Sequence, residues 1–163
     1  MKILSMKTTI FLGAMLSLLV CLIFTGCSNS ETNSTSRGLT DFAHIEEEYL
    51  ATIDSLNWPD GITLPDKLED EDTGASFQVG YGETRASYLW EYSWMKEWLD
   101  TYNTDPERAE KALEELEKAF DMPYMGIDRC DDATRNYLRE NIDKAKLGDP
   151  SGFTESIRAN YAN

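Results

Sequence analysis

The chain is poorest in the residues from which most active sites are built. It has one histidine, His44, in 163 residues. No second histidine can complete a His-rich zinc site. No G-x-S-x-G, phosphate-binding glycine loop, H-E-x-x-H or paired C-x-x-C occurs. A Ser-His-Asp or Cys-His arrangement on His44 stays open, because spacing in the chain does not reveal adjacency in space. Basic residues are also scarce, 15 Lys and Arg against 30 Asp and Glu. The imbalance is uneven: Leu39 to Glu83 carries 12 acids and one base, Lys67, whereas Met125 to Asn163 carries 7 acids and 6 bases. Such a surface repels nucleic acid and anionic headgroups. No internal repeat recurs at a fixed period. The expectation leans away from an enzyme, with no catalytic residue, no cofactor, no resident metal and no nucleic-acid partner.

Only one long apolar run is present. Ile10 to Phe24 follows Lys2 and Lys7 and precedes small residues and the polar stretch SNSETNSTSRG. A basic start, an apolar middle and a small-residue cut make an export signal. The run is 15 residues long, against the ~20 that a membrane span needs. Its end, Ile23-Phe24-Thr25-Gly26-Cys27, resembles the lipobox of bacterial lipoproteins, with Phe24 where Leu is commonest. The resemblance covers residues 1 to 27. It implies cleavage before Cys27, acylation of Cys27 by diacylglyceryl and palmitate, and anchoring on the extracytoplasmic face of the cell membrane. One acyl chain anchors marginally at ~0.8 kcal/mol per buried CH2, and two on one cysteine hold stably. An uncleaved helix and an ordinary secreted protein are the alternatives.

By that resemblance the chain divides into a signal peptide (1–26), a lipidated cysteine with a flexible tether (27–38) and a single domain (39–163). Lys2 and Lys7 leave with the signal, so 13 basic and 30 acidic residues remain, a net charge of −17. Cys21 leaves too and Cys27 is acylated, so Cys130 stands alone and no internal disulfide forms. Cys130 is expected to be buried and inert. A reactive thiol is the alternative, although Asp128, Asp131 and Asp132 oppose the acidifying effect of Arg129.

Apolar periodicity makes the domain mostly α, a compact set of four or five helices centred on an antiparallel helix hairpin, with an irregular loop. Phe42, Ile45, Tyr49, Ile53 and Leu56 predict a first helix over Thr40 to Leu56, capped by Thr40 or Asp41 and ended by Asn57-Trp58-Pro59-Asp60-Gly61. Ile62 to Tyr81 is irregular, with a short extended piece near Phe77. The strongest helix is Glu83 to Tyr102. Tyr88, Tyr92, Met95, Leu99 and Tyr102 form one row, Trp90, Trp94 and Trp98 a second, and Ser93, Lys96, Glu97 and Asp100 the opposite, polar arc. Thr104 and Glu107 form a capping box for the next helix, with Ala109, Ala112, Leu113, Leu116 and Phe120 inward. Glu107–Lys111 and Glu114–Lys118 are expected as pairs on its outer face. Asp131 or Asp132 opens another helix with Tyr137, Leu138, Ile142 and Ala145 inward, ended by Gly148 and Pro150. Phe153, Ile157 and Tyr161 mark a last short one.

Three places carry candidate chemistry. Glu91 sits among Tyr88, Trp90, Trp94 and Trp98, where a carboxylate costs free energy unless partnered. The functional reading is a ligand pocket in which aromatic faces and one acid hold a cation, or in which the tryptophans stack on sugar rings. The structural reading is core, with Glu91 paired to an Arg or a tyrosine hydroxyl. Asp66, Glu69, Asp70, Glu71 and Asp72 could offer oxygens to Ca2+, but Gly74 comes one place early and Tyr81 stands where the loop needs Glu. Asp41, His44 and Glu48 share a helix side that could seat a metal or simply face solvent.

Trp58-Pro59-x-Gly61-x-x-Leu64-Pro65, Gln78-x-Gly80-x-Gly82 and Trp90 to Trp94 resemble small exported proteins of Gram-positive bacteria. That likeness implies no activity. Three functions follow for a membrane-anchored surface lipoprotein. The first is a non-enzymatic interaction or accessory module with an envelope protein partner. The second is a small-ligand binder with an aromatic pocket at Trp90, Glu91, Trp94 and Trp98. The third is an envelope hydrolase using paired carboxylates. Exposure of the tryptophan row discriminates among them.

Overall fold

The computed structural model describes residues 38–69 and 71–161. The leader, Cys27 and the tether as far as residue 37 lie outside the described residues, as does Asp70. Element order is β1 (Leu39–Thr40), α1 (Phe42–Ser55), β2 (Phe77–Gln78), α2 (Tyr81–Thr101), α3 (Pro106–Glu117), two 3-10 turns (Lys118–Asp121 and Pro123–Met125), α4 (Asp132–Lys146) and α5 (Ser151–Asn160). The fold is mostly α, with five helices and one small antiparallel ladder. No helix among the described residues is long and apolar enough to cross a membrane.

Helix α2 is the axis. It buries residues on most of its circumference, from Gly82 to Thr101, because neighbours cover several of its faces. On one side lies α1, whose stripe Ile45, Tyr49 and Ile53 is buried with Ala86 and Leu68. The contact is close because the facing residues on α2 are small. A Cβ on Gly82 would meet the Ile45 carbonyl oxygen at 1.8 Å. Glu48 uses the same proximity. Its carboxylate accepts from the Gly80 amide at 2.8 Å and the Gly82 amide at 3.2 Å, satisfying the free N–H groups where α2 begins. Gly80 itself has φ +86°, a left-handed conformation that suits glycine.

On another side of α2 lies α3. Arg108 grips Glu97 with two hydrogen bonds, at 2.7 and 2.9 Å, and Lys111 sits 5.8 Å from the Trp94 ring centroid. Later residues of α3 meet earlier residues of α2, which makes the pair antiparallel. Ala109, Ala112 and Leu116 are buried there with Trp94, Met95 and Trp98, and Leu113 and Phe120 pack at the margin. Leu138, Ile142 and Ala145 of α4 and Phe153 of α5 close this core. Gly152 lets α5 approach α4, since a Cβ there would meet the Asn141 side-chain oxygen at 2.6 Å.

Several expectations change. Thr104 does not cap α3; Asp105 does, its carboxylate accepting from the Arg108 amide at 3.2 Å. Asp41 and Asp131 cap α1 and α4 in the same way. The expected pairs on α3 are replaced by the Lys111–Trp94 contact and by Lys118 with Glu115, at 2.6 Å. Ser93 is buried rather than solvated, its hydroxyl donating to the Leu89 carbonyl at 2.7 Å. Tyr137 turns outward from α4. The β1 strand, two residues against Phe77 and Gln78, had no periodic signal at all.

The loop between α1 and β2 is long for an irregular connection. It is held by Leu68, which is buried against α1 and donates its amide to Glu46 at 3.3 Å, and by the Tyr81 hydroxyl, which donates to Glu71 at 2.7 Å.

Gly82→Ala tests the α1–α2 contact. The added methyl forces backbone apart from backbone, and a loss of about 3 kcal/mol in urea denaturation is expected. Gly74→Ala, whose Cβ would meet only the Asp72 side chain at 3.4 Å, is the control and should lose little.

Candidate functional site

The tryptophan row lies in the core. Trp90, Trp94 and Trp98 are 1, 1 and 2 % exposed, so none offers an open face to a sugar ring or a ligand cation. The site expected at those three residues is corrected accordingly. The indole N–H groups explain how such large rings are buried. Trp90 and Trp94 donate to one acceptor, the Asn57 carbonyl, at 2.8 and 3.1 Å. Trp58 donates to the Ile53 carbonyl at 2.9 Å. Three indoles, those of Trp58, Trp90 and Trp94, thus have their N–H groups paired and secure the end of α1 and the chain just past it. Trp98 stacks on Tyr102 at 4.6 Å and meets Phe153 edge-on at 5.4 Å.

Glu91 and Tyr88 are different. They line a cavity of about 290 Å3 between α2, α4, α5 and the second 3-10 turn, with Met125, Tyr137, Asn160 and Tyr161 among its other walls. Glu91 is 8 % exposed. One of its oxygens accepts from the Tyr124 hydroxyl at 2.8 Å; the other accepts no hydrogen bond from the described residues and keeps some access to the cavity's solvent. Tyr124 comes from the 3-10 turn after Pro123, and its ring meets Tyr88 edge-on at 5.7 Å. Tyr161 is placed by the Tyr92 ring, 4.9 Å away, and donates its hydroxyl to the Tyr88 carbonyl at 3.3 Å. Tyr88 and Tyr137, 42 and 40 % exposed, flank the opening to solvent.

No ion pair reaches Glu91 among the described residues. Burial therefore dominates its chemistry and pushes its pKa up to about 7, only partly offset by the Tyr124 hydrogen bond. The groups facing it stay neutral: burial raises the pKa of Tyr124 and Tyr161, and the same cause raises Tyr88 and Cys130. Cys130 is half-buried, 3.6 Å from the Met125 sulfur. Burial raises its pKa, which disfavours the thiolate.

Several members of the other candidate clusters are engaged within the fold. Glu69 pairs with Lys67 at 2.9 Å, Glu71 takes the Tyr81 hydroxyl, and Asp72 accepts from the Gly74 amide at 2.9 Å. Asp41 caps α1, Glu48 caps α2, and His44 lies 3.5 Å from Glu48. Among the described residues no three His, Cys, Asp or Glu side chains form a metal-sized group. A second hollow of about 410 Å3 shares Tyr88, Asn160 and Tyr161 with the Glu91 cavity. Its Lys67 and Glu69 face solvent, where an ion pair is screened and weak.

No protein-family model, curated protein or solved structure matches the chain.

Two expected outcomes check this site. Glu91 holds its proton more tightly in the folded chain than unfolded, where a carboxyl has pKa near 4.5. The advantage is complete below that value and is lost as pH rises to about 7, which removes roughly 3 kcal/mol of stability. Glu91→Gln should abolish that fall, and denaturation at pH 5 and pH 8 measures it. For the tryptophans, Trp90→Phe or Trp94→Phe leaves the Asn57 carbonyl one donor, and the double variant leaves none. The double loss should exceed the sum of the single losses by about 1 kcal/mol in a denaturation cycle.

Proposed function

We propose that the chain is an extracytoplasmic lipoprotein, anchored through Cys27, that acts by binding rather than by catalysis. Support for the anchor is the run Ile10 to Phe24, too short to span a bilayer and ending in Thr25-Gly26-Cys27. Support for binding is the Glu91 cavity. It presents one carboxylate, whose acid–base partner is a tyrosine hydroxyl, and its lining contains no second acid, no histidine and no cysteine. Glycoside cleavage needs two carboxyls ~5–9 Å apart, so the hydrolase reading finds no pair in this cavity.

Within that role two forms remain: an accessory module docking an envelope protein, and a receptor for a small ligand. The cavity favours the second. At about 290 Å3 it falls just below the ~300–1,000 Å3 of small-molecule sites, and it has the few polar groups on apolar walls that such sites use. The ligand region accordingly moves from the tryptophans to Tyr88, Glu91, Tyr137 and Tyr161.

Mass spectrometry of the product purified from membranes tests the placement. A polypeptide beginning at acylated Cys27 is expected, and Cys27→Ser should release the chain from the membrane fraction. A product that keeps its leader, or begins elsewhere without lipid, overturns the anchor.

A further inference from the structure

Three other features of the domain lack the makings of a site. Cys130 is a lone thiol whose surroundings disfavour the thiolate. In the α1–β2 loop Glu69 pairs with a lysine, Glu71 accepts from a hydroxyl and Asp72 from an amide, and among the described residues no three acids there form a metal-sized group. Asn141 has a buried amide nitrogen without a partner, but its surroundings are the packed contact of α4 with Gly152. The Glu91 cavity carries more.

We propose that this cavity binds a small organic ammonium ion, with the free oxygen of Glu91 as counter-ion and the tyrosine rings of Tyr88, Tyr137 and Tyr161 as its walls. The inference rests on the small-ligand reading of the preceding subsection and names its ligand class. Four observations support it. Glu91 is a carboxylate more than nine-tenths buried, in a cavity, with one oxygen unclaimed. A buried anion without a cation is costly, so the site favours any ligand that supplies positive charge. Aromatic faces attract a cation through the ring quadrupole, and three tyrosines line the same cavity as Glu91. The remaining walls include Met125 and Leu138, which suit an alkyl body and not a hydrated ion. A bare metal ion is a poor occupant, since a hard cation needs about six oxygens and the lining presents one carboxylate.

The chemistry also sets the pH response. Entry of an ammonium ion holds Glu91 ionised, so binding releases the proton that the empty site keeps near neutrality. The titratable groups that face Glu91 are Tyr88 on its own helix, Tyr124 in the 3-10 turn, Tyr161 at the end of α5 and Cys130 before α4. All four are held neutral by burial and compete little. Tyr137 on α4 faces the same cavity. Affinity should therefore rise as pH rises through about 7 and level off above it. A primary ammonium donates N–H groups to the free oxygen and a quaternary one does not, so the first should bind more tightly.

Titration calorimetry on the full chain in detergent micelles tests the proposal with butylammonium, choline and the neutral carbon isostere of choline. Saturable binding of butylammonium at pH 8 is expected, weaker by about thirtyfold at pH 5.5. Neither ammonium probe changes its own charge over that interval, so the change belongs to the protein. Glu91→Gln should lose both the binding and the pH dependence. That variant removes a buried charge without changing shape, so it stays folded at pH 8. Tyr137→Leu, at the half-exposed mouth, should weaken binding about threefold or more while leaving stability nearly unchanged. Equal binding of the neutral isostere and choline overturns the cation assignment while keeping a small-ligand site. Absence of binding by every probe overturns the cavity as a receptor. Undiminished binding by Glu91→Gln overturns the counter-ion role.

Discussion

The meeting of Gly82 with the Ile45 carbonyl is the constraint on which the rest of the domain turns. Two helices cannot run so close unless a side chain is missing from one of them. That proximity puts Glu48 within reach of the free amides at the start of α2. It also lets Tyr49 and Ile53 pack against α2 and brings the end of α1 to the indoles of Trp90 and Trp94. A single absent methyl thus positions an electrostatic cap at one end of the pair and a double hydrogen bond farther along. From there α2 is fixed, and its other faces determine where α3, α4 and α5 can lie.

Much of this was legible in periodicity. The stripes on α1, α3 and α4 follow the helical repeat because each helix has one wet side and one dry side. Hence Ile45, Tyr49 and Ile53, or Leu138, Ile142 and Ala145, could be placed from spacing alone. Helix α2 was harder to read. It is covered on several faces, so its polar residues do not mark a solvent side, and Ser93 is buried with its hydroxyl turned back to the helix backbone. The two-residue β1 strand is too short to leave a pattern, whereas Asp105 before Pro106 offered a cap that competed with Thr104.

The candidate site was half legible. Glu91 stood out because a carboxylate among aromatics must be accounted for. Which aromatics surround it did not follow from spacing. Tryptophans four residues apart on one helix suggested a binding surface, yet their N–H groups bond to a carbonyl more than thirty residues earlier. The tyrosines that do line the cavity come from three helical segments, and Tyr124, which holds the acid, lies in an irregular turn. Contacts of that range are set by packing of whole elements. The Pro123-Tyr124 pair carried no periodic signal that could have pointed to them.

The ladder of β1 with β2 has a mechanical consequence. Gly38 accepts from the Val79 amide at 3.0 Å, and Leu39 and Thr40 lie against Gln78 and Phe77. Tension applied to the chain ahead of residue 38 would reach that ladder first, and only then α1. Beyond Val79 the chain runs straight into Gly80, whose amide Glu48 of α1 already grips. A pull would thus be shared at once between the first helix and the axial one.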